Sequence, residues 1–177
     1  MIRTRVGYAG GPQPDPTYHD IGDHAEAVQI DFDPTKMSFG DILDLFWAAR
    51  RPTRPAWKRQ YMSAIFYADD AQRDQAVRSL RRVREEAGQE IYVEILPADT
   101  FHRAEDYHQK YYLQRHGELT AEMRCRFDDF KGFVDSTAVA RLNGYLGGAR
   151  LQKATDEQLE ALGLSGTARR ILDKSAR

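Results

Sequence analysis

Residues 25–32 read Ala25-Glu26-Ala27-Val28-Gln29-Ile30-Asp31-Phe32, and their strict alternation decides how the chain divides. Ala25, Ala27, Gln29 and Asp31 fall on one side, and Glu26, Val28, Ile30 and Phe32 on the other. Side chains point alternately to opposite faces of a strand. The stretch is therefore predicted as a strand whose second face is apolar except at its leading carboxylate. Asp33-Pro34 ends it. Working backward, residues 3–9 read as a strand running into Gly10-Gly11. Residues 10–24 form a loop dense in turn formers, among them Pro12, Pro14, Asp15, Pro16, Gly22 and Asp23. Working forward, Ser38 is an N-cap with Asp41 three residues on, and Ile42, Leu45, Phe46 and Ala49 form a helical stripe. Pro52 and Pro55 break that helix. Residues 61–68 are predicted as a strand. Asp69 or Asp70 then caps a helix carrying Ala76, Val77, Leu80, Val83 and Ala87, which Gly88 stops. Residues 91–96 make another strand, closed by Pro97.

Strands alternating with amphipathic helices place the first two-thirds in a compact α+β or α/β layer architecture. From Ala104 onward the signals are helical only: residues 104–115, 130–146 and two short pieces after Asp156, with Gly147-Gly148 as a hinge. The expected organisation is an α+β domain over residues 1–115 and a helical extension over 116–177. The 26 basic and 27 acidic side chains are balanced, which gives no reason to expect nucleic acid as a partner. No apolar run approaches the roughly 20 residues of a membrane helix, and residues 1–5 have no signal-peptide apolar segment. A single cysteine, Cys125, excludes an internal disulfide framework and fits a reducing compartment, the cytoplasm.

The densest set of functional side chains is Tyr18-His19-Asp20-Ile21-Gly22-Asp23-His24-Ala25-Glu26. Glu26 is the informative one. At the head of an apolar strand face a carboxylate is desolvated, which favours its protonated form and equips it to deliver a proton near neutral pH. The plain alternative is an exposed glutamate at a strand end. His19, Asp20, Asp23 and His24 have metal-ligand chemistry, but their spacing matches no standard zinc pattern and no metal is expected. In the second cluster, residues 104–112, a helix puts Glu105, His108 and Tyr112 on one face. The structural reading is a helix packed through its tyrosines, with His108 holding a backbone or carboxylate group. Phe46, Trp47, Trp57, Tyr61 and Phe66 read as core. Cys125 stands between Arg124 and Arg126, whose charges favour a thiolate; a lone cysteine is still more often incidental.

Taken in order, Val6-Gly7-Tyr8-Ala9-Gly10-Gly11, Asp15-Pro16-Thr17-Tyr18, His24-Ala25-Glu26-Ala27-Val28, Phe32-Asp33-Pro34, Gln60-Tyr61-Met62-Ser63-Ala64-Ile65 and residues 104–112 resemble the A-type methionine sulfoxide reductases. The resemblance covers residues 3 to 113, and six ordered matches are far more specific than one; the last sixty residues lie outside it. It implies a two-layer mixed sheet with packed helices and a ferredoxin-like core. It also implies reduction of methionine-S-sulfoxide, free or in proteins, to methionine. In that family a cysteine thiolate attacks the sulfoxide sulfur, a carboxylic acid protonates the departing oxygen and tyrosine hydroxyls hold it. By position the acid falls on Glu26 and the hydroxyls on Tyr18 and Tyr61. Substrate contacts fall on His24, Trp57 and His108. No bound cofactor is implied, and thioredoxin or another dithiol is the electron donor.

The departures are equally specific. The family's Gly-Cys-Phe-Trp motif is absent, along with the strand and methyl-binding aromatic pair that accompany it, and so is its Gly-Asn-Asp segment. Arg54-Pro55-Ala56-Trp57-Lys58-Arg59 stands there instead, with Ala56 where an aspartate is usual. The loop between Tyr18 and His24 is short, and Cys125 is the one candidate thiol. In relatives the stretch before Arg3 commonly reads Gly-Val-Ile, and a GTG valine codon read as a start gives Met1-Ile2. The expectation is therefore an in-frame Gly-Cys-Phe-Trp upstream of Met1 in the genome, with the chain as written inactive. A sulfoxide-binding homologue without turnover, or a reductase attacking through Cys125, are the alternatives.

Overall fold

The computed structural model describes residues 2–148 and 155–175. They fall into two compact units, one spanning residues 6–104 and the other combining residues 1–5 with 105–177. The division thus lies at Ala104/Glu105, eleven residues before the boundary expected from composition, and the first residues join the helical part.

In the unit of residues 6–104 the strands are β1 (Arg3–Ala9), β2 (Ala25–Asp31), β3 (Ala64–Tyr67), β4 (Glu94–Pro97) and β5 (His102–Arg103). β1 is central in a three-stranded sheet of order β2-β1-β5, and it pairs antiparallel with β5 through Gly7↔Arg103 and Tyr8↔His102. β3 and β4 pair in parallel from Ala64↔Glu94 to Tyr67↔Pro97. Parallel neighbours require a crossover, supplied by helix α2 (Asp70–Ala87). The strands are therefore mixed, as an α+β fold requires, and are shared between two sheets. The strand predicted at 61–68 begins three residues late, because Arg59–Tyr61 is a 3-10 turn. The one predicted at 91–96 starts at Glu94, after Ile91 and Val93 have already been buried.

Local signals set the helices. In α1 (Phe39–Ala49) the Ser38 hydroxyl accepts from the Asp41 N–H while the Asp41 carboxylate accepts from the Ser38 N–H. That bond, with a second from the Ser38 hydroxyl, holds the Asp41 carboxyl below its usual range. Asp69 caps α2, and Gly88 ends it in the left-handed region at φ 61°. Leu43, Trp47, Ile65, Ala76, Leu80, Val83, Ile91 and Val93 form the core between these helices and β3–β4. Within it the Trp47 indole N–H donates to Ser79 Oγ at 3.0 Å, and that hydroxyl donates to the Ala76 carbonyl at 2.8 Å.

The second unit contains α3 (Tyr111–Gln114), α4 (Gly117–Arg124), α5 (Phe130–Asp135), α6 (Thr137–Leu146), α7 (Asp156–Glu160) and α8 (Gly166–Ser175). Leu113, Leu119, Met123, Phe133, Val134, Val139, Leu142, Leu159, Leu162 and Leu172 are buried together there. The helix expected at 130–146 is broken at Ser136, which turns extended and caps α6 through the Val139 N–H. The helix expected at 104–115 does not form as one element. Asp106–His108 is a 3-10 turn, and Lys110 adopts φ 48° before α3. The cause is long-range: Gln109 and Lys110 are buried, and the Lys110 ammonium donates to the Thr4 carbonyl and hydroxyl. Tyr107, Tyr111 and Tyr112 are left half exposed, so they do not pack the segment as expected. The Arg5 guanidinium bonds the Asp135 carboxylate at 2.7 Å, holding that carboxyl below its usual range.

Ser79→Ala leaves the buried indole N–H of Trp47 without an acceptor. Stability is expected to fall by about 1–3 kcal/mol in urea unfolding, and an unchanged midpoint would show that the bond contributes nothing.

Candidate active site

The loop of residues 10–24 is fixed by its own backbone before any catalytic side chain is considered. Thr17 and Asp20 exchange N–H···O bonds, at 3.1 and 3.2 Å. His24 is wholly buried. Its Nδ1 accepts from the Gly11 N–H at 3.2 Å, and its Nε2 lies 2.8 Å from the Gln13 carbonyl, so Nε2 carries the proton in this tautomer. A Cβ on Gly11 would stand 2.6 Å from the His24 nitrogen, a separation that only glycine permits. With both ring nitrogens committed and the side chain buried, His24 clamps the loop two residues before Glu26.

Arg59 supplies the outer clamp. Its Nε donates to the Asp23 carbonyl at 2.8 Å, a terminal nitrogen donates to the Gly10 carbonyl at 3.2 Å, and the other lies 3.8 Å from the Glu94 carboxylate. The same 3-10 turn carries Gln60 and Tyr61. Gln60 Nε2 donates to Glu26 Oε1 at 2.8 Å and so aims the carboxylate. Neither Arg59 nor Gln60 stands out as functional in the sequence, because their partners lie 49, 36 and 34 residues away and their side chains have no local signature.

The loop and the turn bring Tyr18, Glu26 and Tyr61 together. The Tyr18 phenol hydrogen-bonds that of Tyr61, and the proximity of Tyr61 and then of Glu26 raises its pKa above the usual value. Tyr18 is accordingly a neutral O–H donor across the physiological range. Glu26 is exposed, which corrects the expectation of a desolvated carboxylate. The reason is that β2 is an edge strand of the described sheet, and Val28 on the same face is 57% exposed. Trp57, expected in the core, is 77% exposed. Its ring centroid lies 5.5 Å from that of Tyr61, extending the phenol pair into an aromatic surface. Phe46 and Trp47 do pack in the core.

The other named candidates lie in the helical unit. His108 stacks on Tyr107 at 4.2 Å, with its Nε2 3.9 Å from Glu105. Cys125 is exposed at the C-cap of α4, where its thiol donates to the Glu122 carbonyl at 3.1 Å. The flanking guanidinium groups point elsewhere: Arg124 lies over the Phe130 and Phe133 rings, and Arg126 bonds Leu162, Gly163 and Glu122. Among the described residues no group of three His, Cys, Asp or Glu side chains could hold a metal ion.

The fold is thus an α+β unit that presents an exposed carboxylate beside one of two hydrogen-bonded phenols, with an aromatic ring next to the other. The comparisons identify the family. The peptide methionine sulfoxide reductase family model matches residues 1–138, and the chain belongs to that family. It is 41% identical over 172 residues to a peptide methionine sulfoxide reductase of Drosophila melanogaster, a match covering 96% of this chain and 68% of that one. It is 44% identical over 123 residues to the enzyme MsrA of Methanothermobacter thermautotrophicus, covering 63% of this chain and 72% of that one. The solved structure of methionine sulfoxide reductase A of Corynebacterium diphtheriae superimposes with a TM-score of 0.56 at 32% identity, over 66% of this chain and 64% of that one. The Drosophila match also takes in most of the last sixty residues, where sequence motifs alone showed no resemblance. Reduction of methionine sulfoxide is the family's activity. No helix among the described residues is long and apolar enough to cross a membrane.

Replacing Glu26 with Gln removes a negative charge beside Tyr18, so the phenol pKa is expected to move down towards its usual value of about 10. Absorbance titration of the phenolate, with Tyr18→Phe as the subtraction reference, measures this. An unmoved titration would place Glu26 out of electrostatic reach.

Proposed function

We propose that Tyr18, Glu26 and Tyr61 bind and protonate the oxygen of methionine-S-sulfoxide, free or within a peptide, during its reduction to methionine. The observation that carries this reading is a hydrogen-bonded pair of phenols, one of them beside a carboxylate whose direction is fixed by Gln60. A sulfoxide oxygen is a strong acceptor that takes hydrogen bonds from two O–H donors at once. Each such bond strengthens as the oxygen acquires charge in the transition state. A protonated Glu26 then supplies the proton that lets the oxygen leave. The Trp57 face, beside Tyr61, offers an apolar surface to the S-methyl group. His108 enters this reading as a further substrate contact, by its place in the family motif alone.

The electrons come from thiols. A thiolate attacks sulfur and the protonated oxygen leaves as water; water then attacks the thiol's own sulfur, methionine departs with the electron pair of the broken S–S bond, and a sulfenic acid remains; a second thiol condenses with it, releasing water and leaving a disulfide. Residues 6–104 contain no cysteine, and Cys125 is the one thiol in the sequence. Thioredoxin, in the cytoplasm, is the natural dithiol donor for such a cycle.

Peptides carrying the S or R epimer test the proposal. The S epimer is expected to bind saturably and about tenfold more tightly than the R epimer, the equivalent of one or two misaligned hydrogen bonds. Glu26→Gln and Tyr18→Phe should each weaken it. Equal affinity for the two epimers would sink the reading. With dithiothreitol present, methionine formation that disappears in Cys125→Ser would put Cys125 on the pathway, and formation that persists would remove it.

A further inference from the structure

The segment carrying Trp57 and Tyr61 has a second face, and a cavity of about 380 Å³ opens on it. Lys58, Arg59 and Met62 line one wall, and Arg84, Glu90 and residues 92–94 the other. Its charge is uneven. Arg59 is balanced by Glu94 at 3.8 Å, and Arg84 by Glu90. Lys58 is balanced by nothing: its ammonium lies 5.1 Å from the Trp57 ring centroid and forms no ion pair among the described residues. Arg84 uses a terminal nitrogen on the Ile91 carbonyl at 3.1 Å, while its Nε is buried with no hydrogen-bond partner. That Nε is covered by protein and does not reach the cavity, so the surplus at the lining is the one positive charge of Lys58.

Lys58 is three residues from Tyr61, and the intervening turn is a 3-10 turn, Arg59–Tyr61. Three residues reach at most about 11 Å even when fully extended, and a 3-10 segment rises only about 2 Å per residue. A peptide whose sulfoxide side chain occupies the Tyr18–Tyr61 pair therefore brings a residue one to three positions away within reach of Lys58. We propose that this cavity is a subsite for an acidic side chain flanking the oxidised methionine, its carboxylate facing Lys58. The chain would then favour methionine sulfoxide in acidic segments of proteins over the free amino acid. This rests on the functional reading above for its register, but the charge preference is separable from it.

A two-by-two peptide set separates them: methionine sulfoxide or methionine at the centre, and glutamate or glutamine placed in turn one to three residues to either side. Binding is followed by fluorescence anisotropy of labelled peptides. At the best position glutamate is expected to bind about two- to fivefold more tightly than glutamine, the range of a partly exposed ion pair. The advantage should shrink as salt is raised and vanish in Lys58→Gln, whose side chain is exposed and makes no ion pair to lose. No glutamate preference at any position, or one that survives Lys58→Gln, would overturn the subsite whatever the sulfoxide does. A preference for glutamate without any preference for sulfoxide would uphold the subsite and remove the reading of Tyr18, Glu26 and Tyr61.

Discussion

One guanidinium group sets the geometry on which the site depends. Arg59 reaches the carbonyl of Gly10, where β1 ends, and that of Asp23, just before β2 begins, and it faces Glu94 at the start of β4. It thus closes the 10–24 loop at both ends while tying it to the parallel strand pair. The planar fork of arginine can serve acceptors in several directions at once, which an ammonium on a flexible stem does less well. Gln60 and Tyr61 follow it in the same turn, so the restraint on Arg59 also fixes the amide that aims Glu26 and one of the phenols. His24 works from inside the loop with its ring nitrogens on Gly11 and Gln13. Two long-range clamps, one buried and one at the surface, replace the regular hydrogen bonding that a fifteen-residue loop lacks.

The helical unit is stabilised differently. Its apolar core is continuous, and charged side chains close its seams. Glu122 accepts from the Ser165 hydroxyl and N–H, at 2.6 and 2.7 Å, and these bonds hold its carboxyl below the usual range. Asp135 does the same for Arg5. Carboxyls whose folded pKa is depressed stabilise the fold above the unfolded value, about 3.9–4.3, and lose that contribution as pH falls through the folded one. Around neutrality both latches are therefore fully formed. The lone thiol sits at the edge of this latch, its Sγ on the Glu122 carbonyl. Arg124 and Arg126, adjacent to it in sequence, spend their charge on aromatic faces and on the α7–α8 connection.

What could be read from the residues follows the range of the interactions involved. The Ser38–Asp41 capping box, the Asp69 cap, the Gly88 stop and the alternation of β2 are contained in a few neighbouring residues, and all were legible. The 104–115 segment was not, because its helical signal is overridden by Lys110 turning inward to Thr4, 106 residues away. Tyr18, Glu26 and Tyr61 were legible as an ordered set of motif positions, and Glu26 also as a carboxylate heading an apolar face. Their exposure was not legible: alternation says which residues share a face, and only tertiary structure says whether that face is covered. Trp57 fails for the same reason, since an aromatic side chain carries the same signature in a core and on a binding surface.

That exposure bears on how an acid can work here. In the free protein Glu26 is open to water. In the proposed mode, a methionine side chain seated between Trp57 and the two phenols takes that water away, and desolvation favours the protonated carboxyl. The proton is then held where the sulfoxide oxygen needs it, and only while substrate is present. Gln60 occupies one carboxylate oxygen, leaving the other to face the substrate in that mode. A carboxylate buried permanently, as the alternation of residues 25–32 suggested, would hold its proton without substrate. In the proposed mode the exposed strand edge leaves the carboxylate accessible until substrate covers it.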